Sequence, residues 1–520
     1  MTSDVATQRI HGLQATIQPI RAVSMRALLS SFALLVATIL TLSINPLLII
    51  HSMDYDKDGD IWWHIRVGDW ISQHHALPRV AIFSQYSDHH WTAYSWCFDL
   101  LVSGFHSIFG LLGIPWLLLC IVILIALALL LSFRRVAGNA WGAWAIATPV
   151  ALVAHIDALR PMSLTVLFFV FELLLIFEAE RAGDDRMLYR LAPLFAIWAN
   201  CHIQFVYGIA VFGLYLASRI LSWIATEKYQ NNRITIFSPA NLKLASFGGL
   251  AIAASCIGPN GWQPYRVAIG YAHQTFAYRV ISELQAMNFR SLDHYILVVV
   301  IMAACFAVGK PSWHDCFRPG LMLMTALVSF RSTRDMWFAA ISAGFVMAEA
   351  IRLWAGQQTE ESPRTATIPR WDIAAYALAA VFATTAMFRY GAHNGMTTAG
   401  MIREIETTYP IRATEFIRNS RLPGPIFNSM NWGGFLIYNL PGEPVSIDPR
   451  TDIYEDGLLA RSLATGNAVK IESDTSLARS RLVILERKLP LTAALAVNSN
   501  YHLVYQDNVA VIFTKNATAQ

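Results

Sequence analysis

The sequence predicts a polytopic α-helical membrane protein, about 11 transmembrane helices followed by a small C-terminal α/β domain. Three observations carry that expectation. Hydrophobic residues make up 55% of the 520 and charged residues only 14%, with a mean hydropathy of +0.42, whereas ordinary soluble chains carry about 25% charged residues. Long apolar runs recur between residues 28 and 390. Beyond Tyr390 the composition turns to the mixed pattern of a soluble unit. The net charge of +4 is spread over 39 basic and 35 acidic residues, so no concentrated basic face points to nucleic acid. Cys97, Cys120, Cys201, Cys256, Cys305 and Cys316 stand at irregular intervals with no CxxC pair, which indicates neither a zinc site nor a disulfide framework.

Taken in order, residues 1–27 form a polar tail with Arg9, Arg21 and Arg26. The run from Leu28 to Ile50 is long enough to cross a bilayer, which takes about 20 residues. It lacks a small-residue cleavage site and is read as an uncleaved anchor. Further runs lie near 113–133, 139–157, 161–180, 187–201, 203–224, 244–258, 293–309, 318–332, 335–353 and 371–389. With a cytoplasmic N-terminus, alternation puts Arg134, Arg135, Arg181, Arg186, Arg190, Arg219, Lys228, Arg233, Lys243, Lys310 and Arg352 inside, which satisfies the positive-inside rule. The same alternation puts the loop 51–112, the turns near 158, 202 and 333, the segment 259–292 and the tail after 390 outside. A linker-like cytoplasmic stretch runs from Gln357 to Pro369. Within 391–520, short apolar runs at 425–427, 444–447, 482–485 and 509–513 alternate with helix-like stretches, the pattern of strands separated by helices. The turn Asn431-Trp432-Gly433-Gly434 lacks GxGxxG spacing and supports no dinucleotide site.

The densest chemistry is in the first outer loop, where Asp54, Asp56, Asp58 and Asp60 fall within one seven-residue run just after the first helix emerges. D-x-D-x-D-G matches a calcium EF-hand loop as far as its eighth position, but Ile65 stands at the twelfth, where a bidentate Glu is needed. A solvated acidic turn at the water boundary is the bland alternative. Trp62 to Ile71 and Trp91 to Phe109 then repeat aromatic and aliphatic residues at helical spacing, which predicts two surface helices whose tryptophans anchor at headgroup depth.

Ionisable groups at a membrane boundary are costly and are functional candidates by default. Arg160-Pro161, Asn200 with His202, Pro259-Asn260-Gly261 with Glu283, and Arg331 with Arg334 all fall at outer ends. His155 and Asp157 near the same level read equally well as structural. For each position a snorkelling arginine or a helix-breaking turn is the competing reading. As a set they offer carboxylates able to act as a base or bind a cation, and Arg and His able to neutralise a phosphate. This suits a reaction on a phosphate-linked lipid at the outer leaflet. A secondary transporter would more often place such groups at mid-membrane in broken helices.

The run Asp58-x-Asp60-x-Trp62-Trp63-His64, then Gly68, Leu77-Pro78, Phe83-Ser84 and Trp91 to Trp96, resembles the first outer loop of bacterial membrane proteins of the GT-C glycosyltransferase superfamily. The resemblance continues through Arg160-Pro161, Trp198-x-Asn200-x-His202, Pro259-Asn260-Gly261, Glu283 and Arg334, and into Phe427-Asn428, Asn431 to Gly434 and Ile447-Asp448-x-Arg450-x-Asp452-x-Tyr454. Protein O-mannosyltransferases and lipid A aminoarabinose transferases are better understood distant relatives. The resemblance implies a GT-C-like membrane domain over 28–390, an extracytoplasmic C-terminal domain over 391–520, and a place in the bacterial inner membrane. It implies transfer of a sugar from a polyprenyl-phosphate donor to a glycan, lipid or protein acceptor, with inversion. Asp58 or Asp60 is then the base, and His64, Arg160, His202 and Arg334 contact the donor phosphate, with Asn200 beside them. Glu283 is a further polar contact. The resemblance fixes no cofactor; a divalent cation held by Asp58, Asp60 and Glu283 stays open. Asp448, Arg450 and Asp452 read as a local ion-pair turn, or as groups reaching the mouth of the site. A transporter or flippase of lipid-linked glycans, and a membrane-anchored binding module, are the alternative functions.

Overall fold

The computed structural model describes residues 25–52, 59–231, 238–309, 316–358 and 370–516. Asp54, Asp56 and Asp58, the N-terminal tail and most of the linker before Pro369 lie outside them. Each of the eleven apolar runs folds as a helix: α1 (Met25–Ser52), α4 (Gly113–Ala137), α5 (Ala140–Val153), α6 (Met162–Ala182), α7 (Leu191–Cys201), α8 (Phe205–Asn231), α9 (Pro239–Ser255), α12 (Leu292–Val308), α13 (Phe317–Arg331), α14 (Met336–Gln358) and α15 (Arg370–His393). Among the described residues six helices are long and apolar enough to cross a membrane, and α5 and α12 are shorter apolar helices. The other three, α7, α9 and α13, have 11, 17 and 15 residues. By length and composition six spans are therefore supported among the described residues, and the count of eleven is not confirmed.

Two further helices, α2 (Asp60–His74) and α3 (Trp96–Phe109), come from the first outer loop and pack on each other. They match the two expected surface helices, but the tryptophans do not serve as anchors. Trp62, Trp63 and Trp91 are buried, because the C-terminal part covers them. Trp62 lies against Tyr409, Phe435 and Tyr438 with ring centroids 5.9, 5.4 and 5.2 Å away.

The outer segment between α9 and α12 carries α10 (Gln263–His273) and the short α11 (Ala277–Val280). After α15 the chain forms α16 (Thr398–Thr408), α17 (Ile411–Asn419), β1 (Ile426–Asn428), α18 (Met430–Asn439) and α19 (Thr451–Gly466), the last kinked at Glu455. It closes with α20 (Thr475–Arg479), β2 (Leu482–Glu486), α21 (Pro490–Ala496), β3 (Tyr501–Gln506) and β4 (Ala510–Lys515). The sheet order is β1-β2-β4-β3, with β1 parallel to β2 and the other pairs antiparallel. Alternation along the strands splits their side chains between two cores. Phe427, Val483, Leu485, Val511 and Phe513 pack with Leu477, Leu491 and Leu495 of α20 and α21. Ile426, Leu482, Ile484 and Ile512 join the core that runs on through Trp62 into the helical bundle.

That continuity depends on two close backbone approaches. A Cβ on Gly434 would stand 2.2 Å from the Gly59 carbonyl oxygen, and one on Gly433 would stand 2.3 Å from that of Ile447. The Asn431 to Gly434 turn thus brings α18 onto the start of α2. Nearby, the Gln85 amide donates to the Val445 carbonyl and the Val445 amide to the Phe83 carbonyl, both at 2.9 Å. The run 444–447, expected to be a strand, is instead a bridge from the first outer loop to β1, with Val445 paired to both Ser84 and Ile426.

Charge divides between the two ends of the bundle. At one end Arg135 and Arg181 pair with Glu178, Arg318 with Glu180 and Glu349, and Arg134 with Asp372. The opposite ends of α6, α13 and α14 carry Arg160 and Arg334, and the C-terminal end of α7 carries Asn200 and His202.

Candidate active site

Asp60 occupies the first turn of α2, half-buried, where its Oδ1 accepts the Trp63 indole N–H at 3.3 Å. One helical turn on, His64 is buried with its Nδ1 2.5 Å from Asp99 Oδ1 on α3. Its ring stacks on Trp63 at 3.6 Å and meets the edge of Phe98 at 5.0 Å, so the imidazole is fixed from three sides. Asp99 also accepts from Ser95 Oγ at 3.3 Å. Sequence reasoning missed Asp99, whose only local signal is an acidic residue near the start of an apolar helix.

Arg160, just before α6, and Arg334, in the turn Thr333–Asp335, converge on Glu283, in the turn Ser282–Leu284. Glu283 Oε2 takes a guanidinium N–H of Arg160, and Oε1 takes one of Arg334 at 3.3 Å. The three side chains are 16, 24 and 33% exposed for Arg160, Arg334 and Glu283, so the cluster opens to solvent. Thr333 fixes the backbone beneath it, its hydroxyl donating to the Glu283 carbonyl at 2.9 Å and its amide to that of Gln285 at 3.1 Å.

Asn200 and His202 belong to the wall rather than the opening. The Asn200 side-chain N–H groups donate to the Ala196 and Ile257 carbonyls, each at 2.7 Å, and its oxygen accepts the Trp96 indole N–H at 2.8 Å. These bonds tie α3, α7 and the end of α9 together. His202 is buried with Nδ1 2.9 Å from the Thr165 hydroxyl, which also accepts the Trp198 indole N–H at 2.8 Å. Burial, reinforced by the charge of Arg334 and by His64, holds His202 well below the usual histidine range. The Thr165 contact fixes the ring in the wall between α6 and α7.

The C-terminal residues divide as well. Arg450 and Asp448 form a buried two-toothed pair, Nε to Oδ1 and a terminal nitrogen to Oδ2, both at 2.8 Å. The same guanidinium donates to the Ile82 carbonyl at 3.1 Å and lies 4.6 Å from the centre of the Trp91 ring. Asp448 also accepts the Tyr454 hydroxyl at 2.5 Å. This pair is the expected ion-pair turn, and it fastens the C-terminal part to the first outer loop.

Asp452 behaves differently and turns to a pair of tyrosines. It accepts the Tyr271 hydroxyl at 3.4 Å, and that hydroxyl is 3.2 Å from the Tyr94 hydroxyl. Burial pushes the Asp452 carboxyl up to about 6, against the lowering effect of Arg450. Tyr94 is raised by its own burial and by Asp452 and Asp60, while the Tyr271 hydrogen bond and Arg334 pull it down. Asp456, one turn beyond, accepts from the amides of Thr275 and Phe276 at 2.7 and 2.9 Å, which docks α19 on the segment leading to Glu283. Tyr94 and Tyr271 were not singled out from the sequence, where nothing local marks their partners.

Of the donor set named for a divalent cation, Asp60 and Glu283 are described and Asp58 is not. Among the described residues no group of three or more His, Cys, Asp or Glu side chains is arranged to hold one. Both Glu283 oxygens face guanidinium groups, and two positive charges beside a carboxylate disfavour a dication there.

No protein family matches the sequence, and no curated protein does. Among solved structures, the archaeal oligosaccharyltransferase AglB from Archaeoglobus fulgidus, in complex with an inhibitory peptide and a dolichol-phosphate, matches over 95% of this chain and 75% of its own, with a TM-score of 0.53 and 12% identity. The fold is GT-C-like. ArnT from Cupriavidus metallidurans bound to undecaprenyl phosphate matches over 91% of this chain and 97% of its own, with a TM-score of 0.47 and 13% identity. In this GT-C-like fold Arg160, Glu283 and Arg334 form one linked group and Tyr94, Tyr271 and Asp452 a second, and the charges of Asp60 and Arg334 both act on Tyr94.

Proposed function

We propose that the protein is a multi-pass membrane glycosyltransferase that passes a sugar from a polyprenyl-phosphate donor to an acceptor on the extracytoplasmic face. The reading rests on the arginine pair Arg160 and Arg334, drawn together on Glu283 in a GT-C-like bundle, with Asp60 near enough for its charge to act on Arg334. A lipid phosphate fits that pair because guanidinium groups bind phosphate with directed, charge-assisted hydrogen bonds. The dolichol-phosphate held by AglB supports the same ligand class here.

In the reaction an acceptor oxygen forms a bond to the anomeric carbon as the bond from that carbon to the phosphate oxygen breaks. The Asp60 carboxylate takes the acceptor proton, and the polyprenyl phosphate leaves with the electron pair. Direct displacement inverts the anomeric configuration. The arginines stabilise the charge that grows on the leaving group, where electrostatic help acts most strongly. Asp58, outside the described residues, is the alternative base. The acceptor is a glycan, a lipid or a protein, and the arginine-rich opposite end of the bundle faces the cytoplasm.

Mass spectrometry of lipid-linked intermediates and surface glycans, with and without the gene, tests the reading. Loss of the gene should accumulate one polyprenyl-phosphate sugar and deplete one glycan. Unchanged intermediates and glycans overturn it. Movement of the lipid-linked sugar across reconstituted vesicles without turnover would assign the protein to transport instead.

A further inference from the structure

The site described above contains a carboxylate where the proposed chemistry calls for a phosphate. Arg160 and Arg334 are the two cations best placed to hold a leaving phosphate, yet both point to Glu283. Glu283 presents one oxygen to each guanidinium, as two oxygens of a phosphate would. Its main chain is tied through Thr333, so the carboxylate is delivered by a side chain whose backbone stays in place. Arg334 still has a buried Nε–H with no hydrogen-bond partner, a donor that a carboxylate with both oxygens engaged elsewhere does not satisfy. A third acceptor oxygen would satisfy it, and a phosphate brings three.

We propose that Glu283 is an internal competitor for the phosphate site: its carboxylate occupies Arg160 and Arg334 in the resting protein, swings aside for the donor, and returns to expel the polyprenyl phosphate product. The proposal rests on the polyprenyl-phosphate reading of the same site. Its physical basis is the change of charge during turnover. The donor is a phosphodiester with one negative charge, whereas the product is a phosphomonoester with close to two at neutral pH. Two arginines alone would therefore hold the product more tightly than the substrate. A carboxylate on a short tether, present at high effective concentration, lowers the affinity for both by the same factor and so keeps the doubly charged product from being held too tightly to leave. The three side chains are partly open to water, which permits the exchange and screens the pair enough to keep it reversible.

The test measures binding of undecaprenyl phosphate to the full-length protein in nanodiscs, with undecaprenol as the uncharged control. Glu283→Gln keeps the shape and removes the competing charge. It should bind undecaprenyl phosphate roughly three- to tenfold more tightly than wild type, the range expected for losing one partly exposed charged hydrogen-bonding competitor. Undecaprenol binding should not change. Arg160→Gln and Arg334→Gln should each weaken undecaprenyl phosphate by about tenfold or more. Glu283→Asp, too short to face both arginines, should also tighten binding, and it carries the test if Glu283→Gln does not fold. Unchanged or weaker binding in the Glu283 variants, with weakened binding in the arginine variants, overturns the competitor role and leaves the function intact. Wild-type protein that binds undecaprenyl phosphate no better than undecaprenol overturns the polyprenyl-phosphate reading itself.

Discussion

At the scale of single residues, Asp60 and Asp452 are both half-buried carboxylates in one field, but their surroundings give them different tasks. Asp60 stands in the first turn of α2, half-buried beside Trp63, and the proposed mechanism makes it the base. General bases contribute about 10²–10⁴ in rate. Asp60→Asn should therefore lower sugar transfer by that order while melting as the wild type does. Retained transfer in Asp60→Asn, with loss in Asp58→Asn, would move the base to Asp58. Asp452 is raised from 3.8 to about 6 by burial, so the folded protein keeps a proton that the unfolded chain releases between about pH 4 and 6. The stability this group contributes is full below about pH 4 and is lost as pH rises through about 6. Asp452→Asn removes that dependence. Its melting temperature should approach that of wild type near pH 4 and exceed it by a constant amount above about pH 6; an offset that does not vary with pH would show that Asp452 titrates normally.

The helices were the most legible elements, because a run of about 20 apolar residues bounded by arginine or by a proline turn has few other physical solutions. All eleven runs are helices, though α7, α9 and α13 are short. Strand β3 was missed because Tyr501–Gln506 is largely exposed and lacks the apolar signature of β2 and β4. Arg160, Glu283 and Arg334 could be found as charges at helix ends, but their convergence could not, since it depends on how the turn 282–284 packs on 333–335. Asp99 was hidden for the same reason: its partner His64 lies 35 residues away on another helix. What brings these two helices together is Gly68. A Cβ there would stand 2.2 Å from the Asp99 carbonyl oxygen and 2.6 Å from Ser103 Cβ. Gly68→Ala must therefore push α3 off α2, at about 1–3 kcal/mol for an overpacked contact. We expect a lower melting temperature together with loss of transfer, because His64 loses its fixed orientation. Wild-type melting and transfer in this variant would show that the two helices tolerate a wider separation.

At the scale of the whole molecule, the C-terminal part packs on the first loop and brings Asp452 to Tyr271, and one buried ion pair fastens it there. Asp448 and Arg450 are almost wholly buried, at 0 and 2% exposure, between the C-terminal core and Trp91 of the first outer loop. Removing one member of such a pair leaves the other charged and unpaired, which costs about 3–5 kcal/mol, whereas replacing both with neutral groups costs much less. Arg450→Met should therefore unfold earlier on heating and expose the region after His393 to protease. Arg450→Met combined with Asp448→Asn should recover much of the loss in melting temperature. Function should separate the two effects. The double variant keeps the core but no longer holds the Ile82 carbonyl or the Trp91 face, so Asp452, two residues on, loses its fixed approach to Tyr271. Transfer should stay low in the double variant even where stability returns. Full recovery of both would mean that the pair only holds the C-terminal part together; recovery of stability alone would assign to Arg450 the placing of Asp452 at the site.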